Sequence, residues 1–561
     1  MAWVDEGARL ILQRLVSSKT MMKRLLLLCL LFCDCASAQT LAPETEAKLQ
    51  ALCDDSKLAD ARIGVSVLAL GRADTPQSFP SQSLAAPKAL FERDAGKRFT
   101  PASNFKLYTA ALALKSMGAG RRFTTRVRAV GKIEKGVLKG DLVLEGAGDP
   151  SLDFVDLADM AKQVRAAGIN KVIGTVAPRQ TGRSTGDGLA ENFYNLYPDG
   201  WTMDDALWYY GPEVAALSLH RNQLDITVQG GATPGDEAVV VVEQGVLCRV
   251  RNHLGGVEFY AIGRAMLAES EPVIWATVST GGPELLSKSS DDLIQVSRVI
   301  GGGALIKVSG KVAPGQKVTV GVAVPHVAQW AACVFSQQLA HLGVVVGEAT
   351  DDETDIYQGA MPNPTQLGRI VATHASPPVG ELLKKFLKTS DNLYGELLLR
   401  LTARADLAQH SKSLKDVNYA NHAHSMLRTY LKTEGIDADG LRFSDGSGLS
   451  RYNLVTPRAT TQLLAAAERI PGGQFFWDAM PIAGVDGTLK KRMRGTPAEN
   501  NARAKTGTFS IVSCLSGYVT TLDGTRLAVS VMTNFARSGD DARRMQNEIF
   551  ATLASATLGA P

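Results

Sequence analysis

Charge of one sign, long apolar runs, cysteine and metal-ligand spacings are all scarce in this 561-residue chain, and each scarcity excludes something. Lys and Arg number 60 against 56 Asp and Glu, a net charge of +4 that is too mild to argue for a nucleic-acid partner. Beyond the N-terminal region no stretch is apolar over the roughly 20 residues that a helix needs to cross a bilayer. Seven cysteines occur, and Cys53, Cys248, Cys333 and Cys514 are too widely scattered for a zinc site. As disulfide partners those four allow three pairings, among which sequence does not choose. His422 and His424 form an isolated H-x-H with nothing nearby to complete a tetrahedral set, so it reads as the polar face of a helix. Neither a metal nor a cofactor is expected. Repeats and low-complexity tracts are absent, and 45% hydrophobic with 21% charged residues excludes a disordered chain.

Familiar catalytic motifs also fail letter by letter. Asp445-Gly446-Ser447-Gly448 lacks the first glycine of a G-x-S-x-G elbow. Gly146-Ala147-Gly148-Asp149-Pro150-Ser151 ends in serine where a dinucleotide loop needs glycine, and reads as a turn between domains. Lys311 follows Gly310 as in a P-loop, but the first required glycine is Leu305.

What is there begins with an address. Lys23 and Arg24 precede an apolar run, Leu25 to Phe32, that ends in Ala36-Ser37-Ala38, the order of a cleavable secretory signal over residues 1–38. Asp5 and Glu6 suit no signal, so translation starting at Met21 or Met22 fits better. Cys29, Cys33 and Cys35 leave with the signal. The mature chain is expected to begin at Gln39, without an integral membrane span, in the periplasm.

Along the mature chain Thr40 to Asp55 has helical character, and Arg62 to Leu70 is the β-branched run of a buried strand. Leu107, Ala110, Ala111, Leu114 and Met117 form a helical stripe stopped by Gly118, which puts Ser103 at a helix N-terminus. Near the other end Ser513 to Thr521 and Arg526 to Phe535 alternate like strands around Asp523-Gly524, and Asp541 to Leu558 reads as a closing helix. Between the ends, from about Phe123 to Val324, short strand-like runs are broken by Gly, Pro and Asp. Helical patterns return at Val327 to Gly343 and Leu382 to Arg404. The expected fold is a mixed α/β domain built from both chain ends, residues 39–122 and 368–561, interrupted by a β-rich insert at 123–367 of two nested subdomains.

One motif survives. Ser103-x-x-Lys106 sets a hydroxyl and an amine three residues apart on one helix face, close enough for the amine to take the hydroxyl proton. Alone it reads as an exposed helix cap, with Ser103 accepting from backbone amides and Lys106 solvated. Ser390-Asp391-Asn392 and Lys505-Thr506-Gly507-Thr508 follow in order, completing the S-x-x-K, S-D-N and K-T-G set of penicillin-recognising serine enzymes. The separation of 287 positions from Ser103 to Ser390 is far more than a class A β-lactamase places there. With GDLVLEGAGDPSL (140–152), SDGSGLSRYNLVTP (444–457) and AGVDGTL (483–489), the chain resembles the D-alanyl-D-alanine carboxypeptidase/endopeptidase family of class C low-molecular-mass penicillin-binding proteins, peptidase family S13. Between about Ala232 and Gly303 little resemblance is visible.

The resemblance implies a penicillin-binding-protein and serine β-lactamase-like transpeptidase domain, an antiparallel sheet flanked by helices. It implies Ser103 as nucleophile, Lys106 as its base, Ser390 as a proton relay to the leaving amine, and Asn392 as the group orienting Lys106 and the substrate amide. The backbone N–H groups of Ser103 and Thr508 would form the oxyanion hole, while Lys505, Thr506, Gly507 and Thr508 would hold a terminal carboxylate. Substrates would be peptidoglycan stem peptides, with β-lactams as covalent inhibitors. Arg451, after the D-G-S-G loop, is a candidate for gripping the stem peptide and equally suits a loop-bracing ion pair. A non-catalytic wall-binding scaffold, or a β-lactamase or esterase on the same fold, remains open at this point.

Overall fold

The computed structural model describes residues 40–72, 87–179, 196–242, 249–252, 258–259, 273–288, 293–298, 305–347, 368–410 and 417–559. The expected leader, residues 1–38, and Cys248 lie outside them. The chain enters through α1 (Pro43–Cys53), β1 (Arg62–Arg72) and β2 (Lys88–Arg93), then passes a 3-10 turn, Ala102–Phe105, into α2 (Lys106–Met117). The insert contributes β3 (Thr124–Glu134), β4 (Val137–Glu145), α3 (Phe154–Ala166), β5 (Lys171–Val172), β6 (Val176–Arg179), β7 (Gln223–Gln229) and β8 (Val239–Val242). It continues through β9 (Arg249–Asn252), β10 (Glu258–Phe259), β11 (Val273–Thr280), β12 (Ile294–Arg298), β13 (Leu305–Val312), β14 (Lys317–Ala323), α4 (Val327–His341), β15 (Val345–Val346) and β16 (Arg369–Ala375). The return comprises α5 (Val379–Thr389), α6 (Asn392–Gln409), α7 (Tyr419–Thr433), α8 (Pro457–Ala467), α9 (Gly473–Ala479), β17 (Arg503–Phe509), β18 (Val512–Thr520), β19 (Thr525–Asn534) and α10 (Gly539–Ala554).

Both chain ends meet in one antiparallel sheet, in the order β17-β18-β19-β1-β2. Alternation along its strands sends Leu515, Val519, Leu527, Val529 and Val531 to the face covered by α1 and α10. Cys514, Tyr518, Ala528 and Met532 face the larger helical layer of α2, α5, α6 and α8. Burial on both faces is why β19 is buried at every position. This is the expected antiparallel sheet flanked by helices.

Among the described residues the insert holds three sheets, ordered β15-β5-β4-β3-β16 with β6 beside β4, then β14-β7-β8, then β10-β9-β11-β13-β12. Described side chains from these sheets and from α3 and α4 pack into one core. Three expectations are corrected. Arg369–Ala375 was assigned to the returning catalytic part but pairs with β3, so the return starts after this strand and not at residue 368. Helix α3, opened by a capping box between Asp153 and Asp156, was hidden by the Gly- and Pro-rich texture around it. The expected helix from Leu382 to Arg404 is two helices, because Ser390 adopts φ 61, ψ 36 and turns the chain between α5 and α6.

Candidate active site

Ser103 lies in the 3-10 turn just before α2, one turn earlier than the regular helix itself, and Lys106 is the first residue of that helix. Strand β17 runs against this turn at Gly507. A Cβ there would sit 2.2 Å from the Pro101 carbonyl oxygen and 3.3 Å from the Ser103 nitrogen, so only glycine allows the approach. Asn104 reinforces the contact by donating from Nδ2 to the Lys505 carbonyl at 2.7 Å.

Lys106 is fully buried, and its Nζ donates to Asn392 Oδ1 at 2.5 Å and to the Ser447 carbonyl at 2.7 Å, and lies 3.0 Å from Ser103 Oγ. Burial pushes its pKa down to about 8, against the opposing pull of Asp445, Asp391 and Glu396. A neutral amine has two N–H groups and one lone pair. Two neighbours, the Asn392 and Ser447 carbonyl oxygens, only accept, so the lone pair is left for Ser103.

The second buried lysine, Lys505, donates from Nζ to Ser390 Oγ and to the Thr506 carbonyl, each at 2.9 Å. Burial, and then the neighbouring Lys106, push its pKa well below the ordinary lysine value. Asn392 donates from Nδ2 to the Tyr210 carbonyl of the insert at 2.7 Å, which fixes its Oδ1 toward Lys106. Thr506 Oγ1 donates to Thr488 Oγ1 at 3.0 Å.

Ser103, Ser390, Asn392, Arg451, Thr506 and Thr508 line one cleft of about 640 Å³, with Lys106 and Lys505 beneath it. All the site residues read from sequence thus converge. Arg451 is half-exposed, 3.3 Å from Asp205 of the insert and stacked 5.0 Å over the Phe509 ring. Sequence reasoning missed Glu396, Tyr210 and Asp205. Glu396 is fully buried and pairs with Arg400 at 2.8 Å, yet in sequence the two look like an exposed i,i+4 pair. The available signal was the unbroken apolar surround of LYGELLLRL.

Asp445 is the hub of the D-G-S-G loop. It accepts from Trp201 Nε1, Ser447 Oγ and the Ser450 nitrogen on one oxygen, and from the Gly448 nitrogen and Asn453 Nδ2 on the other. Ser447 is therefore committed to the loop. His424 is not on a polar helix face. Its Nε2 contacts the Asp445 carbonyl at 3.1 Å, and burial pushes its pKa down to about 4. Cys514 is a buried free thiol, pushed up to about 12 by burial.

Comparison with known proteins decides the class. The family model described as the D-Ala-D-Ala carboxypeptidase 3 (S13) family matches residues 69–252 and 287–556. The chain belongs to this family. It is a serine-type D-Ala-D-Ala carboxypeptidase, 32% identical over 478 residues to the D-alanyl-D-alanine carboxypeptidase of Actinomadura sp. (strain R39), covering 84% of this chain and 79% of that one. Identity to D-alanyl-D-alanine carboxypeptidase DacB of Haemophilus influenzae is 26%, over 78% and 81% of the two chains. The crystal structure of penicillin binding protein 4 (dacB) from Haemophilus influenzae shares the fold, with TM-score 0.66 at 23% identity over 90% of this carboxypeptidase and 99% of that chain. A further structure of that protein is complexed with a novel β-lactam. The gap in the family match falls within the stretch where little resemblance was visible. Among the described residues no helix of the carboxypeptidase is long and apolar enough to cross a membrane.

Proposed function

We propose that Ser103 is the nucleophile and Lys106 its base in an exported enzyme that trims peptidoglycan stem peptides ending in D-Ala-D-Ala. The Ser103 proton passes to Lys106 Nζ as Oγ bonds the carbonyl carbon of the penultimate D-Ala. The N–H groups of Ser103 and Thr508 receive the oxyanion, one such donor being worth about 10²-fold to 10³-fold in rate. Collapse breaks the C–N bond, and Ser390 relays the proton to the departing amine. Water then cleaves the acyl ester and Ser103 recovers its proton. Thr506 and Thr508 hold the terminal carboxylate, whose arrival favours the charged form of Lys505 against the burial and the neighbouring Lys106 that push its pKa down. A β-lactam offers the same carboxylate and carbonyl, but its amine stays tethered, so the acyl-enzyme persists.

The observation that carries this reading is the Lys106 amine held by two acceptor-only carbonyls with Ser103 Oγ at its third position. A labelled penicillin should give one adduct, mapped by mass spectrometry to Ser103 and lost in Ser103→Ala. An adduct on Ser447, or labelling that survives in the variant, refutes the assignment. Endopeptidase action belongs to the same proposal, since the leaving amine of a cross-link bears its own carboxylate and the same anchor serves. Linear and cross-linked muropeptides, analysed by mass spectrometry, report each activity. Export rests on the Lys23-to-Ala38 leader, and N-terminal sequencing of the secreted protein should begin at Gln39.

A further inference from the structure

The chemistry above leaves unused a fully buried carboxylate, Glu396, on the helix that carries Asn392. Its Oε2 accepts from Arg400 at 2.8 Å, and its Oε1 accepts from the backbone nitrogens of Gly446 at 2.8 Å and Ser447 at 2.9 Å. Burial and then the neighbouring Asp445 push its pKa up, while Arg400 and the Gly446 amide, donors to its oxygens, favour the ionised form. The Ser447 carbonyl in turn accepts from Lys106 Nζ, so a line of direct contacts runs from Glu396 through the Ser447 residue to Lys106 and Ser103.

The joint leaves no room to drift. A Cβ on Gly446 would lie 2.4 Å from the Gly395 carbonyl oxygen, so loop and helix meet backbone to backbone. From the other side Thr109 Oγ1, on α2, donates to the Gly446 carbonyl at 2.6 Å. Two buried carboxylates, Glu396 and Asp445, and the Arg400 guanidinium lie behind a lysine that must be neutral to act as base. An i,i+4 pair that served only its own helix would have no use for two loop amides.

We propose that Glu396 is a positioning residue for the reaction, holding the Ser447 carbonyl on Lys106 and supplying negative charge that stabilises the ammonium formed when Ser103 gives up its proton. It stands to the lysine as the buried carboxylate of a catalytic triad stands to its histidine. The proposal rests on Lys106 being the base. The charged groups facing Lys106 are Asp445 from the loop, Asp391 and Glu396 from the start of α6, and Lys505 from β17, while Arg400 faces Glu396. His424, facing Asp445, stays neutral at working pH.

The test is the pH dependence of penicillin acylation in the full chain, by stopped flow, with peptide KM and thermal midpoint measured alongside. Glu396→Gln keeps an acceptor for the loop amides and removes the charge. The midpoint of the alkaline rise should move down by about 1 pH unit and the plateau should fall about tenfold, with KM for the peptide within about twofold of wild type. A variant with wild-type midpoint and plateau, even one that melts earlier, shows that Glu396 only braces the fold and overturns the proposal. Should Glu396→Gln not fold, Thr109→Val loosens the same loop without touching a charge. Its plateau should fall several-fold at an unchanged midpoint, and wild-type rates there would overturn the positioning role. A wild-type enzyme without any rise near pH 8 would instead refute Lys106 as the base, a distinguishable failure.

Discussion

In the proposed reaction acylation turns on Lys106, and its surroundings fix the sign of the pH dependence. Only the neutral amine can take the Ser103 proton, and burial lowers its pKa to about 8. Below that value the neutral fraction falls tenfold per unit. The wild-type rate constant for penicillin acylation should therefore rise about tenfold between pH 6 and 7 and level off above about pH 8. A rate already flat at pH 6 would exclude Lys106 as the group that titrates. At this scale the sequence was readable where residue types sit in a fixed local spacing, as in Ser103-x-x-Lys106. For Glu396 it was readable only in part, because the apolar surround of LYGELLLRL marks burial but nothing local records the loop 50 positions away that the carboxylate meets.

Among the elements, the break between α5 and α6 is the one that places Ser390 and Asn392 in the cleft. The hydrophobic pattern is in phase on both sides of Ser390, so periodicity alone reads straight through it. The turn comes from a left-handed serine, with Asp391 then capping α6 by accepting from the Tyr394 nitrogen at 3.2 Å. Left-handed backbone costs an L-residue with a Cβ roughly 1 kcal/mol or more, and here it aims Ser390 Oγ at Lys505. Ser390→Ala and Ser390→Gly should both lose the relay to the leaving group and turn over peptide slowly. Yet the glycine variant should be more stable than the alanine variant by about 1 kcal/mol, read from denaturant midpoints at constant slope. Equal midpoints would mean that the left-handed turn is not the native one. Helix α3 shows the complementary difficulty. Its Asp153–Asp156 capping box and buried Leu157, Met160, Ala161 and Val164 form a regular helix that composition over a longer window obscured.

For the whole molecule, the insert is part of the site. The sequence revealed it as a change of texture, but its meeting with the catalytic part depends on pairings between segments far apart in the chain, which no local pattern records. Tyr210 orients Asn392, Trp201 donates to Asp445, Arg221 stands 3.6 Å from Asp391, and Asp205 holds Arg451. Both the specificity and the loop-bracing readings of Arg451 thus have a physical basis, and kinetics can separate them. The guanidinium is half-exposed in the cleft, steadied by Phe509 and Asp205, so it is largely pre-organised for an incoming carboxylate. A charge-assisted contact of this kind is worth about 1.5 to 3 kcal/mol. Arg451→Ala should lower kcat/KM on full stem peptides about ten-fold to a hundred-fold and leave acylation by a small penicillin, which lacks the stem, nearly unchanged. Equal losses on both substrates would mean that Arg451 acts through Asp205 to hold the insert wall against the catalytic centre, and the specificity role would fall.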